Sequence, residues 1–212
     1  PVLGAALAAA YVHGVQSAGV AATAKHFVLN SQETSRNSES SEVSDRALWE
    51  VFYPPFEAAV RAGAAAFMCS YNRVNGTHAC GDAHILIDHL RDSMGFDGFV
   101  MSDWWAVHDV DAARNGVDQN LPGNDDFYSL LPAQEPALVA QMTERILRGM
   151  LASGVWDEQP TCVLGCDCST PLYEVNATSP AHDALAIEVA ADSAVLLKNE
   201  GGVLPLRPHT RV

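Results

Sequence analysis

Basic residues are scarce in this sequence of 212 residues. Lysine and arginine together number 12 against 26 aspartates and glutamates, which gives a formal net charge of −14 at pH 7. Nucleic acids and anionic membrane surfaces are bound through basic patches, so the shortage argues against either as a partner. Long apolar runs are missing too. The alanine-rich stretch 3–15 is shorter than the roughly 18 residues of a membrane span and contains Tyr11 and His13.

What is present suffices for a folded core. Hydrophobic residues make up 48% of the chain and charged residues 18%, a composition typical of a globular protein rather than a disordered one. The chain begins without a methionine or a visible signal peptide, and we expect it to be a fragment or a processed piece of a longer protein. The missing leader therefore says nothing about where that protein is sent.

The cysteines favour an oxidising compartment. Cys69 and Cys80 lie on either side of a short turn that contains the glycosylation sequon Asn75-Gly76-Thr77, and a second sequon begins at Asn176. A sequon between two cysteines that could close a loop is typical of a secreted glycoprotein. We therefore expect an extracellular protein.

Helical and strand patterns alternate over residues 1–153. The apolar periodicity predicts helices over 4–17, 45–62 (broken at Pro54-Pro55), 82–93, 105–115 and 135–153. Short apolar runs predict buried strands over 20–24, 64–68 and 98–102, and a fourth that ends at Asp118. This alternation indicates an α/β fold with a parallel sheet covered by helices. Four strand–helix units are about half of a (β/α)8 TIM-type barrel, so we expect a partial barrel.

The rest of the chain does not show this regular alternation. Residues 154–180 lack periodicity and predict a linker, after which a helix over 181–198 and a strand over 203–206 indicate the truncated start of a second domain over 181–212. Three cysteines crowd the linker: Cys162, Cys166 and Cys168. They favour disulfides over a zinc site, because their spacing lacks a nearby fourth ligand of the usual pattern.

Polar residues recur where the predicted strands end. Lys25, His26, Tyr71, Asp103 and Asp118 all lie at or just after a strand's carboxyl end. In a parallel barrel that edge is the catalytic face. Asp103 is followed directly by Trp104, and a carboxylate beside an indole suits attack on an electron-poor carbon of a stacked sugar ring.

Several other interpretations compete with this one. Asp103 could cap a following helix, and Trp105 fits packing better than a binding platform. His108, Asp109 and Asp111 suggest a metal site, but fit the solvated face of a helix better. A serine hydrolase built on Ser102 is excluded, because the sequence lacks GxSxG.

Six segments together resemble the family 3 glycoside hydrolases, in particular their β-glucosidase branch. They are KHF at 25–27, the pair Glu33 and Arg36, MCSYN at 68–72, GFDGFVMSDWWAVH at 95–108, GVDQNLPG at 116–123 and AVLLKNEGGVLPL at 194–206. The resemblance spans most of the chain. It implies the second half of the family's N-terminal barrel, the linker, and the start of the α/β-sandwich domain.

The resemblance also implies roles for individual residues. Asp103 would be the catalytic nucleophile of a retaining reaction, and Tyr71 would lie against it. The other implied substrate-binding residues are Lys25, His26, Arg36, Met68 and Trp104. Glu33 would support the loop of Arg36. The acid/base glutamate of this branch would lie outside the chain, in the sandwich domain.

Two features of the sequence distinguish the β-glucosidase branch from other branches of the family. Residues 27–45 contain no histidine, which weighs against the hexosaminidase branch, and Trp104 stands where β-xylosidases tend to have cysteine. The implied activity is hydrolysis of terminal β-linked glucose from glycosides or cello-oligosaccharides, without cofactor or metal. The alternatives are a β-xylosidase-type relative and a truncated, non-catalytic remnant that binds sugar weakly. The sequence leaves the oligomeric state open.

Overall fold

The computed structural model describes residues 1–157 and 176–206. Within these ranges no helix is both long enough and apolar enough to cross a membrane. The chain divides into two compact units, residues 1–159 and 160–212. The cysteines at 162, 166 and 168 lie outside the described residues.

The described elements alternate between helix and strand. The strands are β1 (Thr23–Phe27), β2 (Ser40–Ser41), β3 (Ala66–Cys69), β4 (Arg73–Val74), β5 (Thr77–His78) and β6 (Phe99–Ser102). The α-helices are α1 (Val2–Ser17), α2 (Asp45–Ala47), α3 (Pro54–Arg61), α4 (Asp111–Arg114), α5 (Leu131–Gln134), α6 (Pro136–Ala152) and α7 (Pro180–Asp192). Leu48–Phe52 and His84–Ser93 are π-helical, and Ala79–Gly81, Val155–Asp157 and Glu200–Gly202 form 3-10 turns. The expected α/β class is confirmed.

Three parallel strands form the central sheet in the order β1-β3-β6. Lys25 pairs with Met68, and Met68 pairs with Met101, so the three strands end at the same edge. The register shifts between Lys25 and Phe27, where β1 reaches that edge. Because β3 lies between two neighbours and under helices, all four of its residues are buried.

Aromatic packing joins the sheet to the helices that cover it. The Phe27 ring stacks on Tyr53 with 5.5 Å between centroids and meets Phe67 edge-on at 5.8 Å. Ser44 caps the helix that leads to Tyr53, because its hydroxyl accepts a hydrogen bond from the Ala47 amide at 3.3 Å. The predicted strands 64–68 and 98–102 correspond to β3 and β6 within two residues. The strand predicted over 20–24 lies three residues later, as β1, so that Lys25 and His26 are within the strand and not after it.

Helix α6 approaches the sheet closely at Gly149. A Cβ atom there would lie 2.5 Å from the carbonyl oxygen of Ala65, and one at Gly98 would collide with the same oxygen. Both positions therefore need glycine for steric reasons.

A small second sheet lies beside the end of β3. Strand β4 pairs parallel to β2 and antiparallel to β5, with Asn75-Gly76 as the two-residue turn of the hairpin. Both turn residues have positive φ, 48° and 92°, as a type I′ turn requires. A disulfide between Cys69 and Cys80, with Cα atoms 5.2 Å apart, encloses this hairpin, as the sequence had suggested.

Two expectations for the segment after β6 are wrong. The helix predicted over 105–115 is reduced to α4, because Trp105 has the left-handed φ of 61° and the chain turns there. The fourth strand, expected to end at Asp118, is a single bridge between Met101 and Gln119. The Asp118 side chain instead forms ion pairs with Arg91 and Arg145 and accepts a hydrogen bond from the Val100 amide.

The second unit is described over 176–206. Its helix α7 begins at the Ser179 cap and ends at Asp192, earlier than the predicted 198. Residues 203–206 form no strand, and the described part of this unit contains no neighbouring strand that could pair with them. Every residue of α7 is exposed or half-buried.

Candidate active site

Asp103 lies one residue past β6, at the edge where the parallel strands end. Its backbone amide donates to the Cys69 carbonyl oxygen at 3.3 Å, and its own carbonyl accepts from the Ala106 amide at 3.1 Å. The residue is 8% exposed. No helix begins at residue 104, since α4 starts at Asp111, so the interpretation of Asp103 as a helix cap is wrong.

Two hydrogen bonds and one close histidine contact hold the Asp103 carboxylate. The Tyr71 hydroxyl donates to Oδ1 at 2.9 Å, and the Trp104 backbone amide donates to the same oxygen at 2.8 Å. Nε2 of His26 lies 3.2 Å from Oδ2. The structure thus brings together His26, Tyr71, Asp103 and Trp104 from three separate strand ends.

The two side chains beside the Asp103 carboxylate, His26 and Tyr71, are uncharged near neutral pH. Burial lowers the pKa of His26, and the neighbouring Lys25 ammonium lowers it further, against the opposing effect of Asp103. Burial raises the pKa of Tyr71, and the hydrogen bond to Asp103 raises it further. Asp103 is therefore held by neutral groups, and no lysine or arginine of the described residues lies within ion-pair distance of it.

Arg36 reaches the site through Tyr71. Its guanidinium lies 4.4 Å from the centroid of the Tyr71 ring, and it forms an ion pair with Glu33 at 2.9 Å. The arrangement is a cation–π contact that holds the loop after β1 over the tyrosine. The Glu33–Arg36 pair predicted from the sequence is thus formed.

Lys25 and Met68 lie near the site without bonding to the carboxylate. Lys25 is exposed at the end of β1, and among the described residues it makes no ion pair. Met68 is 8% exposed in the central strand, paired with Lys25 on one side and Met101 on the other. Their roles in substrate binding stay predictions.

Asp118 anchors β6 from the neighbouring segment. Its carboxylate accepts from Arg91 and Arg145, each at 2.7 Å, and from the Val100 amide at 2.8 Å. Ser102 adds a second link between β6 and this segment, because its hydroxyl accepts a hydrogen bond from the Leu121 amide at 2.8 Å. The sequence analysis missed both arginines, which lie 27 residues from Asp118 in opposite directions and carry no local motif.

A cavity of about 270 Å³ opens beside Asp103. Its lining is Arg36, Asn37, Tyr71, Trp104, Trp105 and His108. Trp105 is 59% exposed, so the expectation that it serves packing is wrong. Its indole Nε1 donates to the Asn124 side chain at 3.0 Å instead of entering the core.

Histidines and carboxylates do not gather into a metal site within residues 1–157 and 176–206. The side chain of Asp109 accepts a hydrogen bond from the Asp111 amide at 2.9 Å. His108 stacks against His78 with 3.8 Å between ring centroids.

The family model for the glycosyl hydrolase family 3 N terminal domain matches residues 1–123. The chain belongs to glycosyl hydrolase family 3. It is 42% identical over 215 residues to a β-glucosidase of Rhizobium radiobacter, a match that covers 97% of this chain and 25% of the relative. Another family 3 relative, from Bifidobacterium longum, is an exo-α-(1→6)-L-arabinopyranosidase, 37% identical with 92% of this chain and 25% of the relative covered.

Solved structures agree with this family membership. The β-D-glucoside glucohydrolase of Trichoderma reesei aligns with a TM-score of 0.78 and 35% identity, over 94% of this chain and 29% of that one. A β-glucosidase from Streptomyces venezuelae, solved in complex with D-glucose, aligns with a TM-score of 0.75 and 34% identity, over 94% and 27%. The family 3 chain described here thus spans about a quarter of the length of the relatives it matches.

Proposed function

We propose that this family 3 chain is part of a retaining β-glucosidase and that Asp103 is its nucleophile. The observation that carries the proposal is the carboxylate of Asp103, nearly buried at a strand end and held by Tyr71, the Trp104 amide and His26. A fixed carboxylate beside a cavity is what attack on an anomeric carbon needs. The names of the relatives support glucose as the sugar.

The reaction would proceed by double displacement. An oxygen of Asp103 forms a bond to C1 of the sugar while the bond from C1 to the leaving oxygen breaks, and an acid protonates that oxygen. Oδ1 already accepts two hydrogen bonds, whereas Oδ2 has only the His26 contact at 3.2 Å, so Oδ2 has the more available lone pair. Water then hydrolyses the glycosyl ester. The acid/base carboxyl group would come from outside this chain.

Residues of β1 and its loop would bind the sugar. His26 presents a neutral imidazole beside Oδ2, and Lys25 is exposed at the adjacent position, so both can contact hydroxyl groups. Arg36 would act by holding the Tyr71 ring. Met68 would form part of the wall and Trp104 the platform under the sugar.

The larger organisation is part of the same proposal. Residues 1–153 would form the second half of a TIM-type barrel, 154–180 a linker and 181–212 the start of an α/β-sandwich domain. The three parallel strands with helices between them support the first of these assignments. The Cys69–Cys80 disulfide supports a secreted parent protein, since disulfides persist in oxidising compartments.

An activated mechanism-based probe tests the nucleophile. A 2,4-dinitrophenyl 2-deoxy-2-fluoro-β-D-glucoside carries a leaving group that needs no protonation, so labelling does not require the acid/base residue. We expect peptide mass spectrometry to find the fluoroglucosyl group on Asp103 and no label in the Asp103→Asn variant. Asp109→Asn, an exposed carboxylate six residues away, is the matched control and should label normally.

Two outcomes would change the proposal. An unlabelled chain would favour the truncated remnant that cannot catalyse. Faster labelling by the corresponding xylosyl or arabinopyranosyl probe would favour a pentopyranosidase, an alternative supported by the arabinopyranosidase among the relatives.

A further inference from the structure

We propose that a second cavity, beside the hairpin of β4 and β5, binds a small organic oxyanion, in which a carboxylate or phosphate group is carried by a molecule the size of a monosaccharide. This hairpin cavity has a volume of about 370 Å³. Its polar lining consists of three hairpin residues and two residues from the segment after β6: Arg73, Thr77, His78, His108 and Asp109. Asp103 does not belong to this lining.

Arg73 supplies a positive charge that no carboxylate of the described residues neutralises. Every other arginine of residues 1–157 and 176–206 forms an ion pair with an aspartate or glutamate. Arg73 forms none, and its side chain donates only from Nε, to Nε2 of His78 at 3.2 Å. Such an arginine is unusual in a chain with a formal net charge of −14. Its two terminal amino groups are available to an oxyanion, which a guanidinium binds through two parallel hydrogen bonds.

His78 holds this guanidinium in place. Its Nδ1 lies 3.4 Å from the Tyr71 carbonyl oxygen, so the ring proton belongs on Nδ1 and leaves Nε2 to accept from Arg73. Burial lowers the pKa of His78, and the neighbouring His108 lowers it further. The imidazole is therefore neutral near neutral pH, as an acceptor from Arg73 must be.

Two further side chains of the lining are available to a ligand. The His108 ring stacks on His78 with 3.8 Å between ring centroids, and it also borders the cavity beside Asp103. Within the described residues, neither the ring nitrogens of His108 nor the Thr77 hydroxyl have a hydrogen-bond partner. A ligand that displaces water from these groups can therefore replace the lost hydrogen bonds.

The size and charge of the hairpin cavity favour an organic anion over a bare ion. Cavities that hold small molecules measure about 300 to 1,000 Å³, and this one lies within that range. Asp109 is the opposing charge of the lining, and it forms no ion pair with Arg73. A compact, multiply charged ion would be repelled by Asp109, so we expect the anionic group at Arg73 and a neutral part of the ligand beside Asp109.

Isothermal titration of the full chain with three sugars that differ only at C6 tests the inference. Galacturonate and galactose 6-phosphate should each bind about tenfold more tightly than galactose, the effect of one hydrogen bond to a charged group. Arg73→Gln should remove this preference, and Arg73→Lys should keep part of it. Arg46→Gln, at an exposed arginine paired with Glu50, is the matched control and should leave the preference unchanged.

NMR spectra of the histidine side chains test the location. The imidazole signals of His78 and His108 should shift when galacturonate is added, and that of His13, exposed on α1, should stay in place. An excess of glucose in all samples keeps the added sugars out of the proposed site of Asp103.

The outcomes decide the inference without reference to the nucleophile. Tighter binding of either anion, lost in Arg73→Gln, supports the inference and shows whether the cavity takes a carboxylate or a phosphate. If all three sugars bind alike, or if Arg73→Gln keeps the preference, the inference is wrong. Inorganic phosphate that binds as tightly as galactose 6-phosphate would also overturn it, because the cavity would then hold an ion alone.

Discussion

Two buried aspartates beside β6 have opposite surroundings. Asp118 is bonded to two arginines and a backbone amide, and its side chain is fully buried. Asp103 contacts only uncharged groups, and its two hydrogen-bond donors, Tyr71 and Trp104, line a cavity. The negative charge of Asp118 is thus neutralised by arginines, whereas that of Asp103 is oriented but left available.

The comparison separates a structural carboxylate from a candidate nucleophile. Burial alone does not distinguish the two residues, since both are less than a tenth exposed. Their partners do, because guanidinium groups hold a carboxylate in strong, charge-assisted bonds that compete with any electrophile. Substitutions at these two sites test this distinction.

Replacing Asp118 by asparagine should destabilise the fold strongly. The change leaves the Arg91 and Arg145 guanidiniums, with side chains 11% and 22% exposed, without their carboxylate. Breaking a buried ion pair on one side costs about 3 to 5 kcal/mol. Guanidinium-chloride unfolding followed by circular dichroism measures the loss. Asp103→Asn is the matched control, and an equal loss there would contradict the distinction.

Replacing Tyr71 by phenylalanine should slow labelling of Asp103 by the fluoroglucoside about tenfold, the effect of losing one hydrogen bond to a charged group. The variant removes the hydroxyl that donates to Oδ1 but keeps the ring under Arg36. The measurement is the labelling rate from time-resolved mass spectrometry. Tyr11→Phe, at an exposed tyrosine of α1, should label at the wild-type rate, and equal rates for both variants would refute the role of Tyr71.

The smallest effect concerns pH and His26. Because the pKa of folded His26 lies below the ordinary 6.5, the unfolded chain binds a proton in the window between the two values that the folded chain does not. The free energy of unfolding should therefore fall as the pH drops below 6.5. His78 and His89 also have a pKa lowered by burial, so the contribution of His26 is the difference from a His26→Gln variant. A steeper fall in that variant would contradict the sign. The arginine partners of Asp118 do not titrate in this window.

Much of the fold was predictable from the sequence, because short apolar runs and periodic helices carry local signals. The runs at 20–24, 64–68 and 98–102 became β1, β3 and β6, and the helices 4–17 and 135–153 appear with bounds shifted by two residues or fewer. The segment 105–118 was predicted wrongly. There the backbone conformation is set by hydrogen bonds from Trp105 to Leu121 and Asn124. Contacts between residues so far apart along the chain produce no periodic pattern in the sequence.

The candidate site was likewise predictable only in part. Its main residues, His26, Tyr71 and Asp103, were predictable because each follows an apolar run in a family motif. Their hydrogen bonds were not, because the atoms that meet come from three strands. Arg91 and Arg145 had no signal at all, since arginines on helices are usually solvated.

Local apolar patterns and motif spacing were enough to predict the α/β class and the strands β3 and β6, because these features depend on residues close together in the sequence. Only the tertiary structure decided which of two buried aspartates is neutralised and which is left available. In the folded chain Trp105 also lines a cavity, whereas the sequence had predicted that it packs in the core. Both outcomes depend on partners far apart along the chain, and only the folded sheet brings those partners within hydrogen-bond distance.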